Sequence, residues 1–286
     1  MTSPAVASGQ IRAADGRKDP FSRTIDYLRI LVTDRCNEKC LYCMPKGYRG
    51  WARHGEHMTA DEIVCTVEAA AGMGFRKFRI TGGEPLLRKD ILEICRRIRE
   101  VRGVETLDLS SNATLLAPIA RELRLAGVRS VNISLAALDP AVYERITGGR
   151  LQPVLEGIEA ARTSGFEAIK LNCVLLRGIN ESEFLPIIRF AADAGTPLRF
   201  IELMPLTRTG DCSGEHFLSV EEMNLIGNRF LALRGVGPEF EAGSDSFYAW
   251  MLPDGALRVK CPAFRGRGSP RTTTIDGGQF DLTGAV

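Results

Sequence analysis

The chain has 286 residues, 44% of them hydrophobic and 25% charged, which is the balance of an ordinary globular protein long enough to bury one sizeable core. Its 37 basic and 35 acidic residues leave a net charge of +2, so the chain as a whole makes no case for nucleic-acid binding. No apolar run approaches the roughly 20 residues of a membrane span, and eight cysteines without a leader-like apolar opening imply a reducing interior, with the cytoplasm as the expected compartment.

Residues 1–22 lack apolar periodicity and are rich in small and charged residues, the composition of a disordered or loosely docked tail. From Tyr27 onward short apolar runs alternate with amphipathic ones. Strands are predicted at Leu28–Val32, Lys77–Ile80, Thr106–Leu109, Ser130–Ser134, Ala168–Val174 and Leu198–Leu203. Helices are predicted between them at Ala60–Met73, Asp90–Val101, Ala117–Ala126, Pro140–Ile146, Gln152–Ser164 and Glu181–Ala194. Thr59 with Glu62 makes a capping box, and Gly74, Gly127, Gly165 and Gly195 stand where helix C-terminal caps belong. Six strand–helix units in series imply parallel strands with right-handed crossovers. Six are too few for a closed eight-stranded barrel. The expected fold is therefore α/β, a partial (β/α)6 TIM-like barrel over residues 23–207. Residues 208–286 are expected to form a short irregular extension that closes the barrel and shapes the substrate site.

Cys36, Cys40 and Cys43 stand in the segment TDRCNEKCLYCMP with the spacing C-x3-C-x2-C. Three clustered thiolates suit a four-iron, four-sulfur cluster, which usually takes four cysteines. A missing fourth ligand leaves one iron open to a small molecule, as S-adenosylmethionine binding requires. The alternatives are a structural zinc completed by His54, His57 or a distant cysteine, and a disulfide framework, which a chain of this size does not need.

The flanks point further. LRILVTDRCNEKCLYCMP followed by FRITGGEPLLR resembles the radical S-adenosylmethionine superfamily, and within it is most similar to the GTP 3',8-cyclase (MoaA) family. The likeness continues through LSSNATLL, VNISLAALD, VLEGIEAA, IKLNCVLLRGIN and LRFIELMPL, over roughly residues 26–207. It implies one [4Fe-4S] cluster on Cys36, Cys40 and Cys43, and S-adenosylmethionine as the second cofactor. In such a barrel the loops at the carboxyl ends of the strands hold the active site. Gly82, Gly83 and Glu84, with Pro85, follow the second strand there. The glycines let backbone approach a ligand closely, as a cradle for the methionine amino group; an isolated GGEP would otherwise read as an ordinary tight turn. Glu84 would hold this loop or the ammonium. The resemblance places Tyr42 beside the adenine, and Ser111, Asn112 and Ser134 against the methionyl and ribose groups. Ala113 and Ala136 depart from the family's usual Gly and Asp.

The resemblance also implies that Arg29, Lys77, Arg79, Lys170 and Arg199 bind a nucleotide's phosphates. Charges lining a barrel are costly without a partner, and arginine suits bidentate phosphate contact, although any one alone reads as a solvated or salt-bridged strand end. The carboxyl-terminal region departs from the family. Anchored on Asp254, Gly255 and Cys261, it has Gly243 and Ser246 where the first two cysteines of a second cluster belong, and the family's arginines are replaced near Tyr248 and Trp250. The chain also ends GAV rather than Gly-Gly. A relative with a different substrate is therefore expected.

The implied chemistry is reductive cleavage of S-adenosylmethionine and abstraction of one hydrogen atom from a carbon placed within contact distance. Cys261 and Cys212, read as loop residues near the barrel mouth, are candidate catalytic hydrogen donors; Cys173 reads as a buried small hydrophobe, and Cys65 and Cys95 as helix packing. The expected partners are a small phosphorylated substrate, a nucleotide above all, and an electron donor such as flavodoxin or ferredoxin, with neither nucleic acid nor membrane. The expected function is hydrogen abstraction from a phosphorylated nucleoside or sugar, leading to rearrangement, cyclisation or epimerisation in natural-product or cofactor biosynthesis. GTP 3',8-cyclase activity, peptide modification and a non-catalytic iron–sulfur carrier are the alternatives.

Overall fold

The computed structural model describes residues 24–43, 57–203, 214–219, 221–223 and 225–226, together with the backbone of 246–251, 257–264 and 270–274. The expected tail, residues 1–22, lies outside the described residues.

The order is β1 (Tyr27–Leu31), α1 (Ala60–Gly72), β2 (Lys77–Thr81), α2 (Ile91–Glu100), β3 (Thr106–Ser111), α3 (Ala120–Leu125), β4 (Ser130–Ser134), α4 (Pro140–Thr147), α5 (Leu151–Thr163), β5 (Ala168–Val174), α6 (Phe184–Asp193) and β6 (Leu198–Ile201). Strands β1 to β6 pair in that sequence, all parallel. The six predicted units are all present, in an open partial barrel. The carboxyl-terminal extension is not irregular throughout. Strands β7 (Ser246–Met251), β8 (Leu257–Phe264) and β9 (Pro270–Thr274) continue the sheet antiparallel from β6. Backbone pairing along the edge of β6 accounts for them; an unpaired edge would leave its N–H and C=O groups without partners.

Local sequence explains the element ends. Thr59 Oγ1 accepts from the Glu62 amide while Glu62 accepts from the Thr59 amide, so the capping box opens α1 as predicted. Gly74, Gly127, Gly165 and Gly195 all adopt positive φ after their helices. Two predicted helices begin one turn late. Ala117–Ile119 and Glu181–Glu183 form 3-10 turns before α3 and α6. Pro118 has no amide hydrogen, which suits it to such an opening turn rather than to a helix interior.

Alternation along the strands separates two faces. Ile30, Phe78, Ile80, Leu107, Leu109, Val131, Ile133, Leu171, Cys173, Leu198 and Phe200 are buried in one core with the helices. Each fully buried large side chain contributes about 1.5–3 kcal/mol. The intervening residues are polar: Arg29, Arg79, Asp108, Ser130, Asn132, Lys170, Asn172 and Arg199. A one-residue slip would turn this polar set into the helix layer, so the register is set by both faces at once.

Candidate active site

The cluster loop runs from Val32 to Cys43, between β1 and the chain leading to α1. Its first half is laced to the end of β2: Val32 N donates to Thr81 O (2.9 Å), Gly83 N to Thr33 O (2.8 Å) and Glu84 N to Arg35 O (2.7 Å). Its second half docks on the end of α4, through Lys39 N to Thr147 O (2.8 Å) and Leu41 N to Ile146 O (2.9 Å). The Tyr143 hydroxyl donates to Glu38 at 2.7 Å beneath this seam. Asn112 Nδ2 donates to Asn37 Oδ1 (2.9 Å), and Asn37 Nδ2 to Thr114 Oγ1 (2.8 Å), tying the loop to the end of β3. His57 pairs with Asp34 at 2.6 Å.

Cys36, Cys40 and Cys43 carry free thiols; the first two are half-buried and the third is exposed. Burial pushes all three thiols up, Cys40 to about 12, so a cation must displace their protons before they can ligate. Among the described residues no three His, Cys, Asp or Glu side chains converge on a single-ion site. A cubane meets each thiolate at a separate corner, and three thiols carried on one firmly anchored loop fit that group.

A Cβ on Gly82 would overlap the Thr33 carbonyl oxygen, and one on Gly83 the Arg35 carbonyl oxygen. Both glycines are thus required by the close approach of the cluster loop itself. Glu84 is fully buried and accepts from Leu86 N (3.0 Å), Ser111 Oγ (2.9 Å) and Asn112 N (2.7 Å). These contacts join the turn after β2 to the end of β3. Burial pushes its carboxyl up to about 7, against the pull of these donors.

Ser111 and Asn112 are buried at the end of β3, and Ser134 is exposed at the end of β4. Ser111 Oγ also accepts from Ala113 N, and Asn112 Oδ1 from Thr114 N and Thr114 Oγ1. Ala113 has φ +62°, the one non-glycine positive φ among the described residues. Tyr42 packs against the core, and burial raises its hydroxyl well above the ordinary range.

The predicted basic set is brought together in part. Arg29, Arg79, Asp108 and Ser130 share one register row, with Asn132 beside Lys170 and Asn172 beside Arg199 in the rows above. The guanidinium groups of Arg29 and Arg79 each lie 5.8 Å from the Tyr27 ring centroid. Burial lowers the Lys170 pKa, helped by Arg199 and Arg79, while Asp108 opposes the shift. Lys77 instead starts β2, exposed, and pairs with Asp26 at 3.0 Å.

Asp108, Ser130, Asn132 and Asn172 also stand on this inner face, beyond the basic residues expected from the sequence. Their signal is the strict alternation in TLDLSS, SVNIS and AIKLNCV, where polar residues stand opposite an apolar helix-facing set. Cys173 is buried on the helix side, as expected. Cys95 is also buried, but Cys65 is exposed on the outer side of α1, whose inward face is Ile63, Val64, Val67, Ala70 and Ala71. Cys261 belongs to strand β8, opposite Thr273, rather than to a loop, because its segment is drawn into backbone pairing on both edges. Cys212 lies outside the described residues.

A family model described as "Radical SAM superfamily" matches residues 30–191. The GTP 3',8-cyclase of Listeria welshimeri is 42% identical over 226 residues, covering 79% of this chain and 66% of the relative. That of Alkaliphilus oremlandii is 41% identical over 243 residues, covering 85% and 74%. The chain spans about two thirds of the length of its Listeria relatives, and 57% of the one from Limosilactobacillus fermentum. In structure, Streptococcus suis SuiB bound to S-adenosylmethionine superposes with a TM-score of 0.61 at 14% identity, over 87% of this chain and 63% of that one. TYW1 with a lysine-pyruvate adduct gives 0.55 at 16% identity, over 77% of each chain. These two likenesses concern the fold. With its family match, its relatives above 40% identity and a three-cysteine loop at the head of a six-stranded parallel sheet, the chain belongs to the radical S-adenosylmethionine superfamily.

Proposed function

We propose that the chain is a radical S-adenosylmethionine enzyme that removes a hydrogen atom from a phosphorylated nucleoside or sugar lying over the inner face of the sheet, leading to rearrangement, cyclisation or epimerisation. When bound, the cluster and S-adenosylmethionine supply the one-electron chemistry that makes such an abstraction possible. The chain's own part is positional. The cluster loop is held on both flanks, by the end of β2 and by α4, so the three thiols stand over the carboxyl ends of the strands. Glu84 joins the end of β2 to the end of β3, where Ser111 and Asn112 frame the cofactor side. We assign Gly82, Gly83, Tyr42 and Ser134 to the same cofactor wall, and residues 208–286 to closure of the barrel over the substrate. Water exclusion and fixed geometry are what such a step demands of a protein.

The observation that carries this reading is Lys170, half-buried on the polar face diagonally beside Arg199, with its affinity for a proton lowered by burial first and then by Arg199 and by an Arg79 that Asp108 offsets. An anion relieves that repulsion. The electron would come from a flavodoxin or ferredoxin in the cytoplasm. The relatives named GTP 3',8-cyclase favour a second reading, the same cyclisation of GTP. Anaerobic reconstitution followed by a screen of nucleoside and sugar phosphates for 5'-deoxyadenosine release, with deuterated substrates to trace the abstracted atom, separates the two. Release with GTP and deuterium transfer from its ribose would establish the cyclase reading. Release with no phosphorylated compound, but with a peptide, would overturn both.

A further inference from the structure

We infer that Asp108 sets the substrate class of the inner face: it withdraws Arg79 from anion binding, so that the site takes a phosphomonoester bearing hydroxyl or amino donors rather than a polyphosphate. This rests on the phosphorylated-substrate reading above.

Arg79 is 8% exposed, and its Nη2 donates to Asp108 Oδ2 at 3.0 Å. The other carboxylate oxygen accepts from Ser130 Oγ at 2.7 Å, so Asp108 is held from both neighbouring strands. A charged pair at that distance, largely removed from water, presents almost no net charge to a ligand. Lys77 is similarly engaged with Asp26 at the amino-terminal end of β2. Of the central basic residues, Lys170 has no ion pair among the described residues, and Arg199 lies diagonally beside it on β6. A triphosphate carries about four negative charges and would bring some of them against the Asp108 carboxylate. A phosphomonoester carries close to two, fewer for Lys170 to meet and fewer for Asp108 to repel.

The rest of the face asks for donors. Asn132 is 5% exposed, and its Oδ1 is buried without a hydrogen-bond partner; Asn172 Oδ1 is buried and unpartnered too. An orphaned buried acceptor costs about 1–3 kcal/mol, and both stand on adjacent strands beside Lys170 on the inner face. A ligand placing its phosphoryl group on Lys170 would present its hydroxyl or amino hydrogens to these two oxygens. Arg79 Nε is a third orphan, one register row below Asn132, an available donor for a neutral oxygen of the ligand.

The test uses the full chain reconstituted anaerobically with cluster and S-adenosylmethionine. Binding of nucleoside mono-, di- and triphosphates and of ribose 5-phosphate is measured by calorimetry. The wild type should bind monophosphates at least as tightly as triphosphates. Asp108→Asn should strengthen triphosphate binding about tenfold or more and leave monophosphate binding within about threefold, because the charge of Arg79 is then no longer balanced by a carboxylate. A wild-type preference for the triphosphate, or an unchanged preference in the variant, overturns the inference. Should Asp108→Asn not fold, competition between inorganic phosphate and inorganic triphosphate on the wild type decides it in the same way. If no phosphate of any chain length binds, the phosphorylated-substrate reading itself falls, and this inference with it; if triphosphates alone bind, that reading stands and only this inference fails.

Discussion

Glu84 accepts a 2.7 Å hydrogen bond from the backbone amide of Asn112, so a carboxylate at the end of β2 fastens the turn after β3. The same side chain takes up Leu86 N and Ser111 Oγ. One buried residue thus sets the spacing of two strand ends beneath the cluster loop.

Replacing that carboxylate has a pH signature. The Glu84 carboxyl is raised by burial to about 7, above its ordinary 4.5. A raised carboxyl disfavours the fold once the unfolded chain can ionise, so the stability it lends is full below about 4.5 and lost as pH rises through about 7. Thermal melts between pH 5.5 and 8 should show wild-type stability falling across that window. The Glu84→Gln protein, lower in stability at the acid end, should lack that fall. Parallel profiles would show that the three donors, and not burial, govern this carboxyl.

Gly83→Ala should separate cluster binding from folding. The new Cβ overlaps the Arg35 carbonyl oxygen, and Arg35 immediately precedes Cys36. The loop must shift while the helix-packed core remains. Circular dichroism should be retained, and iron should drop from about four per chain to below one. Full iron loading in this variant would contradict the close approach described.

The strained Ala113 offers a test in the opposite direction. A left-handed conformation costs a non-glycine residue about 1–2 kcal/mol, and φ here is +62°. Glycine's greater chain entropy offsets part of that gain. Ala113→Gly should therefore stabilise by up to about 1 kcal/mol, a rise of about 2–4 °C in melting temperature. Gly157→Ala should do the reverse and cost more, because its Cβ would overlap the Ala113 carbonyl oxygen. Differential scanning calorimetry of the two variants reads both signs.

Cysteine substitutions should sort by location. Serine at Cys36, Cys40 or Cys43 should each abolish the iron-dependent absorbance, whereas Cys65→Ser on the exposed side of α1 should leave it intact. Cys95→Ser and Cys173→Ser place a hydroxyl in a fully buried site and should lower thermal stability by about 1–3 kcal/mol without removing iron. Loss of iron in the Cys65 variant would mean that the ligand set is misassigned.

Much of the framework was legible because its signals are local. Thr59 and Glu62 are three residues apart, and their reciprocal bonds open α1. The alternation in SVNIS marks β4 to the residue. The cysteine spacing needs no tertiary information. Other features depend on residues far apart. Glu38 meets Tyr143 across 105 positions, and no local rule pairs them. The three carboxyl-terminal strands depend on the edge that β6 offers, so their segment reads as irregular when met alone.

The amino-acid order, taken alone, determined the repeating strand and helix units, the helix ends and the thiol triplet, because each arises from neighbours a few positions apart. Only folding decided that Asp108 would pair with Arg79, that Glu84 would bridge the ends of β2 and β3, and that Lys77 would turn to Asp26. Those outcomes depend on which strands lie side by side and in what register, and on the loss of water between them. Charge pairing is strong only where the solvent is gone, and which charges lose it is a property of the assembled sheet.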